Sequence, residues 1–540
     1  MAIERQTSTL PPAQPSYILR GHVAQIHSVL LVRQNSRLLT GDADGWVVYW
    51  KVETKRALAV WKAHDGPILA TAEWGPEKII THGRDNNLRI WQLRASDEAV
   101  LSTVLPAEEV KQQRPKPWLL HTLPVNTLNF CAFSMCYEHP AEKKQQRDTT
   151  SSTKGSTLGR SSNASILIAV PARDDKKIEV YRFPDEKLKF IVQRAQSTDT
   201  GMVMAVKLVH QPSSRSVMVL AGYEGGLTAV HRLPRNDNGS AVELAQLVYL
   251  SRPHAQPVLS LDVSPDATTF FTSGADAIIA AHRIPELQSD VNDDEDLSIF
   301  ERKQSTVIAS LPISERVSSI DGQEQSGGEV PPPTQSPASL AQHNGAVGES
   351  SSSTAEALDY AKNPVSSTST DLSISFAKQS IPLLQSHTDK PAGLSSLLSS
   401  APPQSKIRPP PPPPPTVMIQ APYKTIDTKH AGQQSLCVRS DGRLLITGGW
   451  DARIRIYSAK TLKEVAVLKW HKEGVYAVAF GEILESLDLT NQEASDDGNE
   501  LARRETGLSR LQRQREAQMQ LKHWVVAGAK DGKVSLWQVF

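Results

Sequence analysis

The sequence predicts an all-β chain, a seven-bladed β-propeller closed by its own N-terminal strand and carrying long disordered insertions. Three observations lead there. Six times an Asp in a tight polar turn is followed six residues later by an aromatic residue or His that ends a strand: Asp44–Trp50, Asp85–Trp91, Asp175–Tyr181, Asp276–His282, Asp451–Tyr457 and Asp531–Trp537. A His also stands four residues before the residue that opens another strand, at His22, His64, His121, His254, His430 and His471. Finally, residues 39–50 read as strand, polar turn, strand, and a sheet of that size cannot bury both faces unless neighbouring copies cover it.

Each blade then holds strands a to d from the axis outward, with the His in the d-to-a turn and the Asp in the b-to-c turn. The seventh unit, between Met202 and His231, is degenerate. It has Asp199 in the His position, Gly225 in the Asp position and His231 in the aromatic one. Setting aside residues 1–15, 95–117, 138–163, 286–423 and 481–521 leaves about 42 residues for each of seven units, inside the roughly 40–45 that such a blade needs. The chain ends on a third strand, Val534 to Phe540, whereas Tyr17-Ile-Leu-Arg20 precedes the first His without a partner. Residues 16–20 are therefore expected to complete blade 7, leaving no open sheet edge across the ring. The expected organisation is blades 1–5 in 16–285, an insertion in 286–423, and blades 6–7 in 424–540 with the further insertion 481–521.

This pattern resembles the WD40 repeat. Gly21-His22 keeps the repeat's start, and its Trp-Asp end is worn to Trp-Lys, Trp-Gln and Tyr-Arg. The resemblance implies that the repeated His and Asp hydrogen-bond with a strand hydroxyl (Thr40, Thr272 or Ser273, Thr447) and with the Trp. The network expected on this basis comprises His22, Asp44, Trp50, His64, Asp85, Trp91, His430, Asp451, His471, Asp531 and Trp537. Buried polar groups are costly unless paired, so such a network braces a blade, and these residues are structural rather than catalytic.

With 59 basic and 58 acidic side chains the net charge is +1, so no global field points to nucleic acid or an anionic membrane. The first residues lack an apolar h-region and no apolar run is long enough to span a bilayer, so a soluble intracellular protein is expected. Cys131, Cys136 and Cys437 are too few and too scattered for a disulfide framework or a four-ligand zinc site, and buried free thiols are expected.

The insertions avoid the turns that carry His and Asp. Segments 138–163 and 481–521 interrupt a-to-b connections, and 95–117 and 286–423 interrupt c-to-d connections, so all four should leave from the opposite face. One face is then short-looped and the other adaptable. Segment 286–423 is Ser- and Pro-rich, holds the run Pro409 to Pro415, and cannot bury enough apolar surface to fold. Its polyproline is a stiff spacer or a ligand for an SH3- or WW-type groove. Segment 481–521 begins acidic and turns basic, and Leu501, Leu508, Leu511 and Met519 outline an amphipathic helix. That helix is either a partner-docking element or a solvated excursion.

No Gly-rich phosphate loop, metal-binding spacing or nucleophile elbow occurs. No catalytic, cofactor or metal residue is assigned, and neither direct nucleic-acid binding nor membrane association is expected. Residues projecting from the turns, Arg84, Arg173, Tyr223, Trp450 and Lys530, are candidate partner contacts, because aromatic and Arg side chains dominate interface energetics. Trp450-Asp-Ala-Arg453 matches the Trp-Asp-x-Arg of cullin ubiquitin-ligase receptors, but here Asp451 is the turn Asp and Tyr457 ends the strand.

The wording of the first and last blades is similar to the ASTRA-associated protein 1 family of fungi, related to the animal guanine-nucleotide-binding-protein beta-subunit-like protein. It is carried by Tyr17-Ile-Leu-Arg-Gly-His22, residues 38–50, His82-Gly-Arg-Asp-Asn-Asn-Leu-Arg-Ile-Trp91 and residues 527–537. This resemblance implies a non-enzymatic scaffold, a chromatin regulator in the nucleus with the cytoplasm as a second compartment. It also implies ASTRA components and a co-chaperone that matures phosphatidylinositol-kinase-like kinases as partners. The alternative is a cullin-ligase substrate receptor or another peptide-binding adaptor. A G-protein beta subunit would need an N-terminal coiled-coil helix, which Pro11, Pro12 and Pro15 prevent.

Overall fold

The computed structural model describes residues 13–109, 114–127, 130–139, 164–195, 198–234, 241–286, 417–485 and 507–539. Seven sheets, each built on four antiparallel strands, form a propeller. Strands a to d are Ile26–Val32, Arg37–Asp42, Trp46–Lys51 and Arg56–Lys62 in blade 1. In blade 2 they are Ile68–Trp74, Lys78–Gly83, Asn87–Gln92 and Trp118–Pro124. Blade 3 has Ser134–Tyr137, Ile166–Pro171, Ile178–Phe183 and Lys187–Val192, and blade 4 has Val203–His210, Val217–Tyr223, Thr228–Arg232 and Gln246–Ser251. Blade 5 has Val258–Val263, Thr269–Gly274, Ile278–Arg283 and, across the long insertion, Lys424–Asp427. Blade 6 has Gln433–Val438, Leu444–Gly449, Arg453–Ser458 and Glu464–Lys469. Blade 7 has Val475–Phe480, Trp524–Ala529 and Lys533–Gln538, and Tyr17–Arg20 is its strand d, with Ile18 opposite Ser535.

Blades packed on both sides need strands apolar on both faces, and strands b show this: Ile166–Pro171 and Trp524–Ala529 are buried at every position. Neighbouring blades approach closely because strand b carries Gly where the next blade opens its inner strand. A Cβ at Gly528 would lie 2.2 Å from Ile26 Cγ2. Two residues into strand a, the register shifts in six blades, beside Ser28, Ala70, Ala205, Ser260, Ser435 and Ala477. Such a bulge re-aims side chains. Ser260 Oγ accepts from the Leu436 N–H at 3.1 Å and Ser435 Oγ from the Val478 N–H at 3.2 Å, tying each inner strand to the next.

Blade 3 differs from the sequence reading. His121 does not open it; His121 lies in strand d of blade 2, with Nδ1 2.5 Å from Glu186 of blade 3, and strand a begins only at Ser134. Two blades also carry a fifth strand that no repeat pattern announced. Glu243–Leu244 runs parallel to strand d of blade 3, and Ile419–Gln420 runs parallel to strand d of blade 4.

The c-to-d insertion of blade 2 does not simply leave the far face. It returns over blade 1, where the Val60 N–H donates to Ser102 O at 2.7 Å, and reaches Gly21, whose carbonyl accepts from the Ala107 N–H at 2.6 Å. Arg114 fastens this strap by donating to the carbonyls of Val104, Pro106 and Glu108, with its guanidinium 5.0 Å from the Trp46 ring centre. In the 481–521 insertion Gly507–Gln520 is helical. Leu501 and the run Pro409 to Pro415 lie outside the described residues. No helix among the described residues is long and apolar enough to cross a membrane.

Candidate functional site

In blades 1, 2 and 5 a polar network of the repeat is consumed inside the blade. In blade 1 His22 Nδ1 donates to Asp42 Oδ2 at 2.6 Å, and the Thr40 hydroxyl, 2.7 Å from His22 Nε2, receives the Trp50 indole N–H at 2.8 Å. One proton arrangement satisfies all four groups: indole to hydroxyl, hydroxyl to Nε2, Nδ1 to carboxylate. The acid is therefore Asp42, not Asp44. Asp44 is exposed and contributes its backbone N–H to Asp42 Oδ1 at 3.0 Å.

In blade 2 His64, Asp85, Thr81 and Trp91 make the same chain, with His64 2.8 Å from Asp85 and 2.7 Å from Thr81. Burial pushes the Asp85 carboxyl up, but the His64 hydrogen bond and charge, the Asp65 N–H and Arg89 bring it down to about 2. Blade 5 pairs His254 with Asp276 and Thr272, both at 2.9 Å, and His282 takes the Trp position, 2.9 Å from the Tyr249 hydroxyl of the preceding blade.

The remaining blades depart from the expected network. In blade 6 His430 is half-exposed and 3.7 Å from Asp451; Gln433 occupies the buried place, accepting from Thr447 Oγ1 at 2.6 Å. Asp451 instead receives the Arg455 guanidinium, with Nη1 at 3.0 Å. In blade 7 His471 and Trp537 both meet Ser535, at 2.7 and 2.8 Å, while Asp531 pairs with Lys533 at 2.7 Å. In blade 3 the Asp175 carbonyl accepts from the Val203 N–H of the next blade, and Tyr181 donates to Glu179 at 2.8 Å. Blade 4 places Tyr223 in the acid's position and His231 in the aromatic one, both buried.

The d-to-a and b-to-c turns open on one face, and its exposed groups form the candidate interaction site. Trp450 is 49 % exposed; its indole N–H donates to Gln434 Oε1 at 2.9 Å. Its ring lies on Gly432, φ +74°, where a Cβ would come within 2.1 Å of the indole. An exposed Trp fixed by a hydrogen bond and a glycine seat has little side-chain freedom left to lose on contact. Arg84, Arg173 and Lys530 are exposed in their turns, and the Arg84 guanidinium lies 4.1 Å from the Phe130 ring centre. Tyr223 is corrected: at 1 % exposure it belongs to the core beneath. The sequence reading missed Val23 and Phe130, 61 % and 53 % exposed in d-to-a turns of the same face. Among the described residues no group of three or more His, Cys, Asp or Glu is disposed to hold a metal. Cys131 is buried and Cys136 and Cys437 half-buried, with burial pushing the latter two thiols up to about 12.

The profile of ASTRA-associated protein 1 matches residues 15–323. ASTRA-associated protein 1 of Pyricularia oryzae is 37 % identical over 99 % of this chain and 100 % of its own length. The chain belongs to the ASTRA-associated protein 1 family. A second relative, ASTRA-associated protein 1 of Aspergillus niger, is 34 % identical over 98 % of each chain, and that of Schizosaccharomyces pombe is 24 % identical over 86 % of this chain and 93 % of its own. The WD domain, G-beta repeat profile matches residues 422–458, the stretch that holds blade 6 strands a to c. This member of the ASTRA-associated protein 1 family thus keeps one full hydrogen-bonded brace at each of His22, His64 and His254, and rebuilds it from other residues at Gln433 and Ser535.

Proposed function

We propose that the chain is a non-enzymatic WD40 scaffold of the ASTRA complex, acting in the nucleus in chromatin remodelling and in the maturation of phosphatidylinositol-kinase-like kinases. The observation that carries the reading is relatedness along the whole chain to proteins named for their association with ASTRA. The geometry agrees with a scaffold. His22, His64 and His254 have both ring nitrogens engaged within their own blades, so the repeat leaves no poised general base there. What faces solvent at the turns is Trp450, Phe130, Arg84 and Lys530, residue types suited to holding a protein.

Purification of a tagged full-length chain from a fungal host, with quantitative mass spectrometry, tests this. Large partner subunits in fixed ratio to the chain are expected, and Trp450→Ala should release at least one of them while the melting temperature stays put. Recovery of the wild-type chain only as a free monomer would overturn the reading.

A further inference from the structure

The helix Gly507–Gln520 is fastened to the disc through its C-terminal half. Glu516 receives Arg37 at 2.9 Å and lies 3.6 Å from Lys51 of blade 1. Met519 packs against the core between blades 7 and 1, and its carbonyl accepts the Trp524 indole N–H at 2.8 Å. The Gln520 carbonyl accepts from Asn35 at 3.0 Å.

The N-terminal half departs in two ways from a helix built for water. Leu508 is 79 % and Leu511 52 % exposed, and with Arg515 they recur at i, i+3 and i+7, which puts them on one stripe. The first turn has no acid and instead holds Arg510, with Arg513 and Arg515 following, so cations crowd the positive end of the helix dipole. Residues 508–515 hold no Asp or Glu, and the next acid, Glu516, is already engaged by blade 1. A helix of this length is marginal alone. Local choices that oppose stability, such as two leucines left to water on a short helix, mark functional sites.

We propose that the stripe Leu508–Leu511–Arg515 is a docking surface for a protein partner presenting an apolar groove rimmed by Asp and Glu. Such a groove covers the two leucines in the helix-in-groove mode and places negative charge beside Arg510 and Arg515. A nucleic-acid backbone would use the arginines and leave both leucines wet, and two apolar positions are too few to hold a helix in a membrane interface. The proposal rests on the reading that the chain works in a protein assembly.

The test uses the full chain carrying a photo-crosslinking residue at 508 or 511 in the native host, beside the variants L508S/L511S and R510E/R515E. Both variants change exposed positions and should melt with the wild type. The expected result is a crosslink to a partner peptide containing apolar residues flanked by Asp or Glu, and a loss of at least tenfold in retention of that partner by both variants. Crosslinks confined to this chain, or full retention by both variants, would overturn the proposal while leaving the assembly intact. Binding of the purified chain to a 20-nucleotide duplex or to phosphatidylserine vesicles, lost in R510E/R515E, would overturn it in favour of those ligands. A wild-type chain with no protein in fixed ratio overturns the assembly reading itself, and this surface with it.

Discussion

His22 Nδ1 donates to Asp42 Oδ2 across 2.6 Å, with both side chains nearly inaccessible to solvent. Removing the acid leaves the buried His22 Nδ1–H and the Trp46 amide without their acceptor, a loss of roughly 2–4 kcal/mol. Asp42→Ala is therefore expected to destabilise the propeller by that order. Asp44→Ala should stay within about 0.5 kcal/mol, as exposed substitutions do. Urea denaturation of the two variants compares them directly, and equal midpoints would show that Asp42 does not carry the brace.

Blade 7 performs the same task with its hydroxyl on the neighbouring strand. Ala527 of strand b pairs with Ser535 of strand c, and Ser535 Oγ holds both His471 and Trp537. Ser535→Ala leaves two buried nitrogens without a partner and is expected to cost about 2–4 kcal/mol. Adding Ala527→Thr puts a hydroxyl at the strand-b place that Thr40 fills in blade 1, so the double variant should regain at least half the loss. A double variant less stable than Ser535→Ala alone would show that the hydroxyl's strand matters as much as its presence.

These two braces also show what a linear pattern can and cannot carry. The ring was legible because a small sheet must be covered on both faces, and that requirement repeats in every unit. The partner of His22 was missed for a local reason: Thr40 and Asp42 alternate along one strand and so share a face, whereas blade 2 has Gly83 in that place and draws its acid from the turn. His430 misled because strand a of blade 6 starts at Gln433, three residues on, where the other true copies leave four. His121 misled because four-residue spacing before an apolar residue also arises by chance on an outer strand. The fifth strands and the strap are single events with no period, and only long-range pairing reveals them.

The buried histidines set a pH limit. His82 and His282 are held at about 3 and His231 and His471 at about 4, in each case chiefly because burial penalises the cation. Their folded values lie below the unfolded value of about 6.5, so below that pH the unfolded chain binds more protons than the folded one. Their contribution is complete above about pH 6.5 and falls as pH drops toward 4, by up to about 1.4 kcal/mol per pH unit for each histidine. Asp85, held at about 2, keeps its contribution through this window and loses it only in stronger acid. Denaturation midpoints should fall steadily from pH 7 to pH 5, and His231→Leu should flatten the slope. A midpoint unchanged across that range would rule out neutral buried histidines as the cause.

The end of the long insertion divides into two stretches with different consequences. Ile419 and Gln420 pair in parallel with Leu250 and Ser251 on strand d of blade 4, and Val417 packs against the core shared by blades 3 and 4. The segment before them is Ser- and Pro-rich and has little apolar surface to contribute to a core. Replacing 290–416 by a short Gly-Ser linker is therefore expected to leave the melting temperature almost unchanged. Extending the same deletion through Gln420 exposes the outer edge of blade 4 and the apolar surface beneath Val417, a loss of about 1–2 kcal/mol that lowers the melting temperature by a few degrees. Differential scanning calorimetry of the two deletions separates the effects. Equal melting temperatures would show that Ile419–Gln420 adds nothing to blade 4, and a large drop already at 290–416 would place part of the core inside the insertion.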